Sequence, residues 1–248
     1  MKISILDVKI DNLKFPQVMQ KITLFLNEKK LHQIVTVNAE FIMAAQKDEE
    51  FKKVLNSADL AIPDGSGPQY AAWFLGQKIG ERIPGVDLTW KIAKMASEKG
   101  YSIFLLGAAK GIAEKTAYRL KLVHSDLKIA GTYAGSPNDK KVFELLKKAK
   151  PDVLLVAFGA PRQDKFIFNL KTNFSDFGFR VSDLPKVAMG VGGTFDYIAE
   201  VVPRAPKWMR ILGLEWLYRL VKQPKRIGRI YTAVIKFPLL VLFNKFFN

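Results

Sequence analysis

"PDVLLVAFGAPRQDKF" (151–166) changes character halfway along. From Val153 onward the residues are apolar or small, with no helical period, and the run is bounded by Pro151, Gly159 and Pro161. A short unbroken apolar run of this kind reads as a strand buried on both faces. Pro161 suits the start of a helix, which puts Arg162 and Gln163 in its first turn. The unit is therefore strand, glycine turn, helix.

The same unit recurs. "HQIVTVNA" (32–39), "ADLAIPDG" (58–65), "YSIFLLGA" (101–108), "LKIAGTYAG" (127–135) and "KVAMGVGG" (186–193) are further strand-like runs. Helix-length segments lie between them. "KGIAEKTAYRLKLVH" (110–124) carries an apolar stripe, and "NDKKVFELLKKAK" (138–150) opens on Asn138 as an N-cap. Apolar strands alternating with helices predict an α/β fold: a Rossmann-like, mostly parallel sheet with helices on both faces. The opening "KISILDVKIDNLKF" (2–15) alternates differently and predicts a small N-terminal antiparallel element. Residues 1–200 read as one Rossmann-like catalytic domain. At "VVPRAPKW" the composition shifts, and residues 201–248 read as a basic, apolar, helical appendage.

Composition narrows the chemistry. The 248 residues contain no cysteine and two histidines, His32 and His124, which argues against thiolate or zinc sites. No Asp-x-Asp pair is present to hold a divalent metal against a diphosphate. No metal site and no cofactor are expected. The formal charge is +16, and the last 48 residues hold ten Lys/Arg against one acid, Glu215. These basic residues interleave with large aliphatics, which fits an anionic membrane surface and does not fit nucleic acid. In "RIYTAVIKFPLLVLFNKFF" (229–247), Lys236 and Pro238 interrupt the apolar run, so an interfacial helix is expected rather than a span. Burial of this tail between subunits predicts a homo-oligomer off the membrane. The N-terminus lacks the apolar core of a signal peptide, so a cytoplasmic location, peripheral on the inner face of the membrane, is expected.

In an open parallel sheet, ligands bind beyond the carboxyl ends of the strands. The residues at those ends are the candidates. Thr36 and Asn38 share one face of their strand and offer a hydroxyl and an amide; Asn38 equally suits capping of the next helix. Asp64 in "IPDGSG" is either a turn acid or a general base. Gln163 stands on the same rim, in an exposed helix start or against a polar ligand. The junctions "LLGAAKG" and "GVGGTFD" make Gly107, Gly111, Gly190, Gly192 and Gly193 candidates for holding a nucleotide's phosphates, although neither junction is a full dinucleotide fingerprint. Asp87 and Asp196 suit helix starts as well as ligands. With no metal, a departing diphosphate needs cations, for which Arg204, Arg219 and Arg226 are suited.

"TVNAEF", "IPDGSG", "FGAPRQDKF", "GVGGTFDYIAE", "PRAPKWM" and "GLEWLYRL", in this order, resemble the WecG/TagA/CpsF family of bacterial glycosyltransferases over about residues 1 to 230. The resemblance implies an inverting, metal-independent transfer of N-acetylmannosamine from UDP-N-acetylmannosamine. The acceptor it implies is the 4-hydroxyl of GlcNAc on undecaprenyl diphosphate, as in wall teichoic acid linkage-unit synthesis. It puts the base at Asp64, polar contacts at Thr36, Asn38 and Gln163, and site completion and membrane contact in the appendage. Two positions depart from the family pattern: Asp164 where Glu is usual, and Ala199-Glu200 where Ala-Gly is common. Both bear on substrate detail, not reaction type. The alternatives are the same chemistry on UDP-ManNAcA or UDP-glucose, and a non-catalytic membrane-docking Rossmann-like module.

Overall fold

The structure, a computed structural model, describes residues 2–247. Strands β1 (Lys2–Ile5) and β2 (Val8–Asp11) form an antiparallel hairpin whose turn residues Leu6 and Asp7 both have positive φ, 49° and 62°. Six further strands make the main sheet: β3 (His32–Val37), β4 (Leu60–Pro63), β5 (Ser102–Gly107), β6 (Lys128–Tyr133), β7 (Val153–Ala157) and β8 (Val187–Gly190). Their order is β4-β3-β8-β7-β5-β6, and every pairing is parallel. The expected α/β class, parallel sheet and N-terminal hairpin are all present.

Alternation along each strand builds the two faces. Ile34, Leu60, Ile62, Leu105, Leu155 and Met189 point into one core, covered by helices Phe15–Leu26, Gly85–Lys99 and Ile112–Val123. Val35, Val37 and Ala61 face the hairpin and helices Ala39–Ala45 and Glu49–Ser57. Leu106, Leu154 and Val156 face helices Lys140–Ala149 and Arg162–Thr172. The run at 151–161 ends as a strand at Ala157; Gly159, with φ of 76°, turns the chain away.

One local expectation needs correction. Helix Lys140–Ala149 is capped by Asp139, not Asn138; the Asp139 carboxylate accepts from the Lys141 N–H at 3.0 Å. A carboxylate at a helix start is also favoured by the helix dipole. In the appendage, the expected helix is present, with Lys236 and Pro238 inside a continuous helical run. Residues Pro224–Phe247 form one helical run of 24 residues, long and apolar enough by composition to cross a membrane. A wide π-type turn, Thr232–Lys236, precedes Pro238, and the Phe237 N–H reaches back to Thr232 O. That extra residue per turn accommodates a proline ring that an α-helical turn would crowd.

The appendage lies back on the domain. Ile230, Phe237 and Val241 are buried, the last two in the core beside Ala39 and Phe41. Lys245 Nζ donates to Phe74 O at 2.6 Å. Helices Lys207–Ile211 and Glu215–Lys222 complete the appendage.

Candidate active site

The carboxyl ends of β3, β4, β5, β7 and β8 open into one cavity of about 950 Å³, and the appendage forms its opposite wall. From the sheet come Thr36 near the end of β3 and Asn38 after it, Asp64 after β4, Ala108 after β5, Gly159 and Ala160 after β7, and Gly192 and Gly193 after β8. Arg204, Glu215, Arg219, Arg226 and Arg229 line it from the far end of the chain.

Asp64 is positioned by backbone on both sides. Its N–H donates to Val37 O at 2.8 Å, which continues the β3–β4 register past Val37 and Pro63. Gly65 takes φ of 81°, the left-handed region glycine favours, and lets the chain turn away beneath the carboxylate. Gly67 is needed for packing: a Cβ there would lie 2.9 Å from Ala39 Cβ. Burial pushes the Asp64 carboxyl up to about 6. Glu215 adds to the rise, while Arg219, Arg82 and the Gly85 N–H oppose it.

The cationic wall is crowded. Arg204 forks onto Asp87 at 2.5 and 3.0 Å. Arg219 lies 5.0 Å over the Tyr197 ring and 3.5 Å from Glu215. Burial and the neighbouring Arg229 and Arg219 guanidiniums lower the pKa of Arg226. Among the described residues, the buried Nε of Arg204 and of Arg219 have no hydrogen-bond partner. Like charges gathered around unpaired donors favour an anion with several oxygens.

Gln163 turns inward more than the sequence suggests. It is 2% exposed, and its Oε1 accepts from the Gly159 N–H at 3.1 Å and the Gly192 N–H at 2.9 Å. It thus clamps the loops after β7 and β8 while lining the cavity. Asn38 caps helix Ala39–Ala45, its Oδ1 accepting from the Phe41 N–H at 3.0 Å, and the residue lines the cavity beside Thr36.

The glycines divide. Gly192 and Gly193 line the cavity; Gly107, Gly111 and Gly190 stand outside its lining. A Cβ at Gly107 would meet Phe158 and Ala157 at 2.8 and 2.9 Å, and one at Gly190 would meet Asp164 and Gln163 at 2.6 Å. These two allow close packing behind the rim. Gly111, with φ of 83°, starts helix Ile112–Val123. Arg229, one of the basic residues of the appendage, lines the cavity, and so does Arg82, which carries no sequence signal of strand end or glycine junction. Arg82 is brought to Asp64 by the neighbouring Ile83 N–H, which donates to Pro63 O at 2.9 Å.

The profile of the glycosyl transferase WecG/TagA/CpsF family matches residues 3–248. A protein of Bacillus subtilis (strain 168), named N-acetylglucosaminyldiphosphoundecaprenol N-acetyl-beta-D-mannosaminyltransferase, is 34% identical over 92% of this chain and 88% of its own length. Proteins of the same name from Staphylococcus aureus (strain MRSA252) and Bacillus spizizenii are 31% and 34% identical, over 94% and 86% of this chain and 90% and 82% of their own. The chain belongs to the WecG/TagA/CpsF family of glycosyltransferases.

Proposed function

We propose that the protein transfers N-acetylmannosamine from UDP-N-acetylmannosamine to the 4-hydroxyl of GlcNAc on a polyprenyl diphosphate, in wall teichoic acid linkage-unit synthesis. The observation that carries this reading is the cavity itself. It sets Asp64, at the end of β4, opposite a cluster of arginines, and relatives of this length are named as N-acetylmannosaminyltransferases acting on N-acetylglucosaminyldiphosphoundecaprenol.

In this mechanism Asp64 is ionised near neutrality, and its raised pKa makes it a stronger base than an ordinary carboxylate. It takes the proton from the acceptor hydroxyl as that oxygen attacks the anomeric carbon. The bond from that carbon to the diphosphate breaks, UDP leaves, and the anomeric centre inverts. Arg219 and Arg226, with Arg204 beside them, stabilise the charge growing on the diphosphate. Thr36 and Asn38 hold the sugars. Gln163 keeps the Gly159 and Gly192 loops in place, and the backbone of Gly192 and Gly193 receives the nucleotide. Gly107, Gly111 and Gly190 shape that pocket from behind.

The protein works as a peripheral enzyme on the inner face of the plasma membrane. The helical run Pro224–Phe247 supports this over a spanning role because Ile230, Phe237, Val241 and Lys245 tie it to the domain along its length. Off the membrane, its exposed apolar face is covered by a second copy of the chain. If anionic vesicles leave the oligomer distribution unchanged in sedimentation, that competition is refuted.

The test of the reaction is UDP release from UDP-N-acetylmannosamine with a lipid-linked GlcNAc diphosphate, wild type beside Asp64→Asn. Release by wild type alone is expected. Release only from another UDP-sugar would replace the donor, and full activity in Asp64→Asn would remove the base.

A further inference from the structure

The cavity is polar at one end and apolar at the other. Away from Asp64 and the arginines, its lining runs between helix Gly67–Phe74 and helix Phe237–Phe247. The two helices start together, since a Cβ at Gly67 would lie 3.6 Å from Phe237. They also end together, with Phe74 and Phe246 rings 6.4 Å apart and Lys245 bonded to Phe74 O. They are therefore roughly parallel walls, about 10 Å long at 1.5 Å per residue. Tyr70, Trp73 and Phe74 stand three and four residues apart on one wall, and Pro238, Leu239 and Leu242 do so on the other. Trp73 is 78% exposed and Tyr70 61%. Folding gains nothing from aromatic rings left in water, so this stripe points to a ligand.

We infer that this groove seats the first isoprene units of the acceptor's lipid chain. The inference rests on the proposed reaction. In such an acceptor the hydrocarbon is bonded directly to the diphosphate. When the sugar hydroxyl is at Asp64 and the diphosphate near the arginines, the chain must leave beside them. The groove is the apolar exit continuous with that point, running past Tyr70, Trp73, Leu239 and Leu242. A second apolar hollow, with Met43, Leu240, Phe243, Phe246 and Phe247, adjoins the groove and shares Leu239 and Leu242 with it. Phe243, Phe246 and Phe247 line only that second hollow, and they are the residues left for the bilayer.

The test uses the full chain in detergent micelles with two acceptors, GlcNAc diphosphate on undecaprenol and on a short water-soluble alkyl chain. The readout is the ratio of their kcat/KM values. Trp73→Ser and Tyr70→Ser are each expected to lower the long-to-short ratio, by at least about tenfold for Trp73→Ser given the apolar area lost. Phe243→Ser is expected to weaken binding to anionic vesicles and leave the ratio unchanged. Equal loss on both acceptors in Trp73→Ser overturns the inference while leaving the reaction intact. So does vesicle binding weakened as much as in Phe243→Ser, or an altered oligomer distribution with an unaltered ratio. Absence of wild-type turnover on either acceptor overturns the reaction and the inference together.

Discussion

The cavity has two walls of opposite construction. The sheet wall is made of strand ends, fixed by ladder hydrogen bonds and buried apolar side chains. Its functional groups are short: Thr36, Asn38, Asp64 and backbone N–H groups. The appendage wall is made of short helices with few buried residues, and its functional groups are long cationic side chains. A rigid wall holds a base in hydrogen-bond reach of a hydroxyl; a wall of arginines tolerates imprecision because charge acts over distance. In the proposed mechanism this division assigns chemistry at the sugar to the sheet and charge at the diphosphate to the appendage.

The largest effect should fall on the sheet wall. Asp64→Asn is expected to lower kcat about 10²–10⁴-fold, the usual weight of a general base. The wild-type rate should fall as pH drops through about 6, where Asp64 takes up its proton. Stability should move the other way. The folded-state pKa lies above the ordinary carboxylate value, so the stabilisation from neutral Asp64 is complete at low pH and lost as pH rises through about 6. Asp64→Asn should therefore melt higher than wild type at pH 8 and lose that advantage at pH 4, as read by calorimetry. A substitution that stabilises while it inactivates would mark a residue held for function.

Next comes the appendage. Arg219→Ala should cost about 10²–10³-fold in turnover, and Arg219→Lys should recover part of it if charge is what matters. Full recovery would mean the fork geometry is irrelevant; none would mean it is essential. Lys222→Ala with Lys225→Ala should weaken partition onto anionic vesicles about 30-fold at low salt, at ~1 kcal/mol per basic residue. Gln163→Ala should raise the donor KM about tenfold and destabilise the fold by about 1–3 kcal/mol, because the Gly159 and Gly192 N–H groups lose their acceptor. The smallest effect is none: EDTA should leave turnover unchanged if arginines alone meet the diphosphate.

The sheet wall was legible in the sequence and the appendage only partly so. Strand ends announce themselves because apolar period stops where "TVNAE" and "IPDGSG" begin, and parallel topology sends those ends to one edge. Asp64 followed from that logic. Arg82 did not, because its approach depends on the Ile83 N–H finding Pro63 O, a pairing no local pattern encodes. Gln163 was legible as a rim residue, but not as a clamp, since its two partners come from separate loops. The cap at Asp139 rather than Asn138 is a one-residue choice between two good caps. The helical tail was legible, but the wide turn at Thr232–Lys236 was not, because such a turn leaves no compositional trace.

That wide turn has a geometric consequence. One additional residue in a helical turn advances the side chains beyond it by about 100° around the axis. Thr232–Lys236 therefore sets the phase of everything from Phe237 onward. With the turn in place, Phe237 and Val241 face the core, while Leu239 and Leu242 border the groove. Deleting one residue there would leave composition and length almost untouched, yet rotate a different stripe toward the domain. The insertion acts as an indexing step, choosing which face of an otherwise featureless apolar helix the rest of the protein meets.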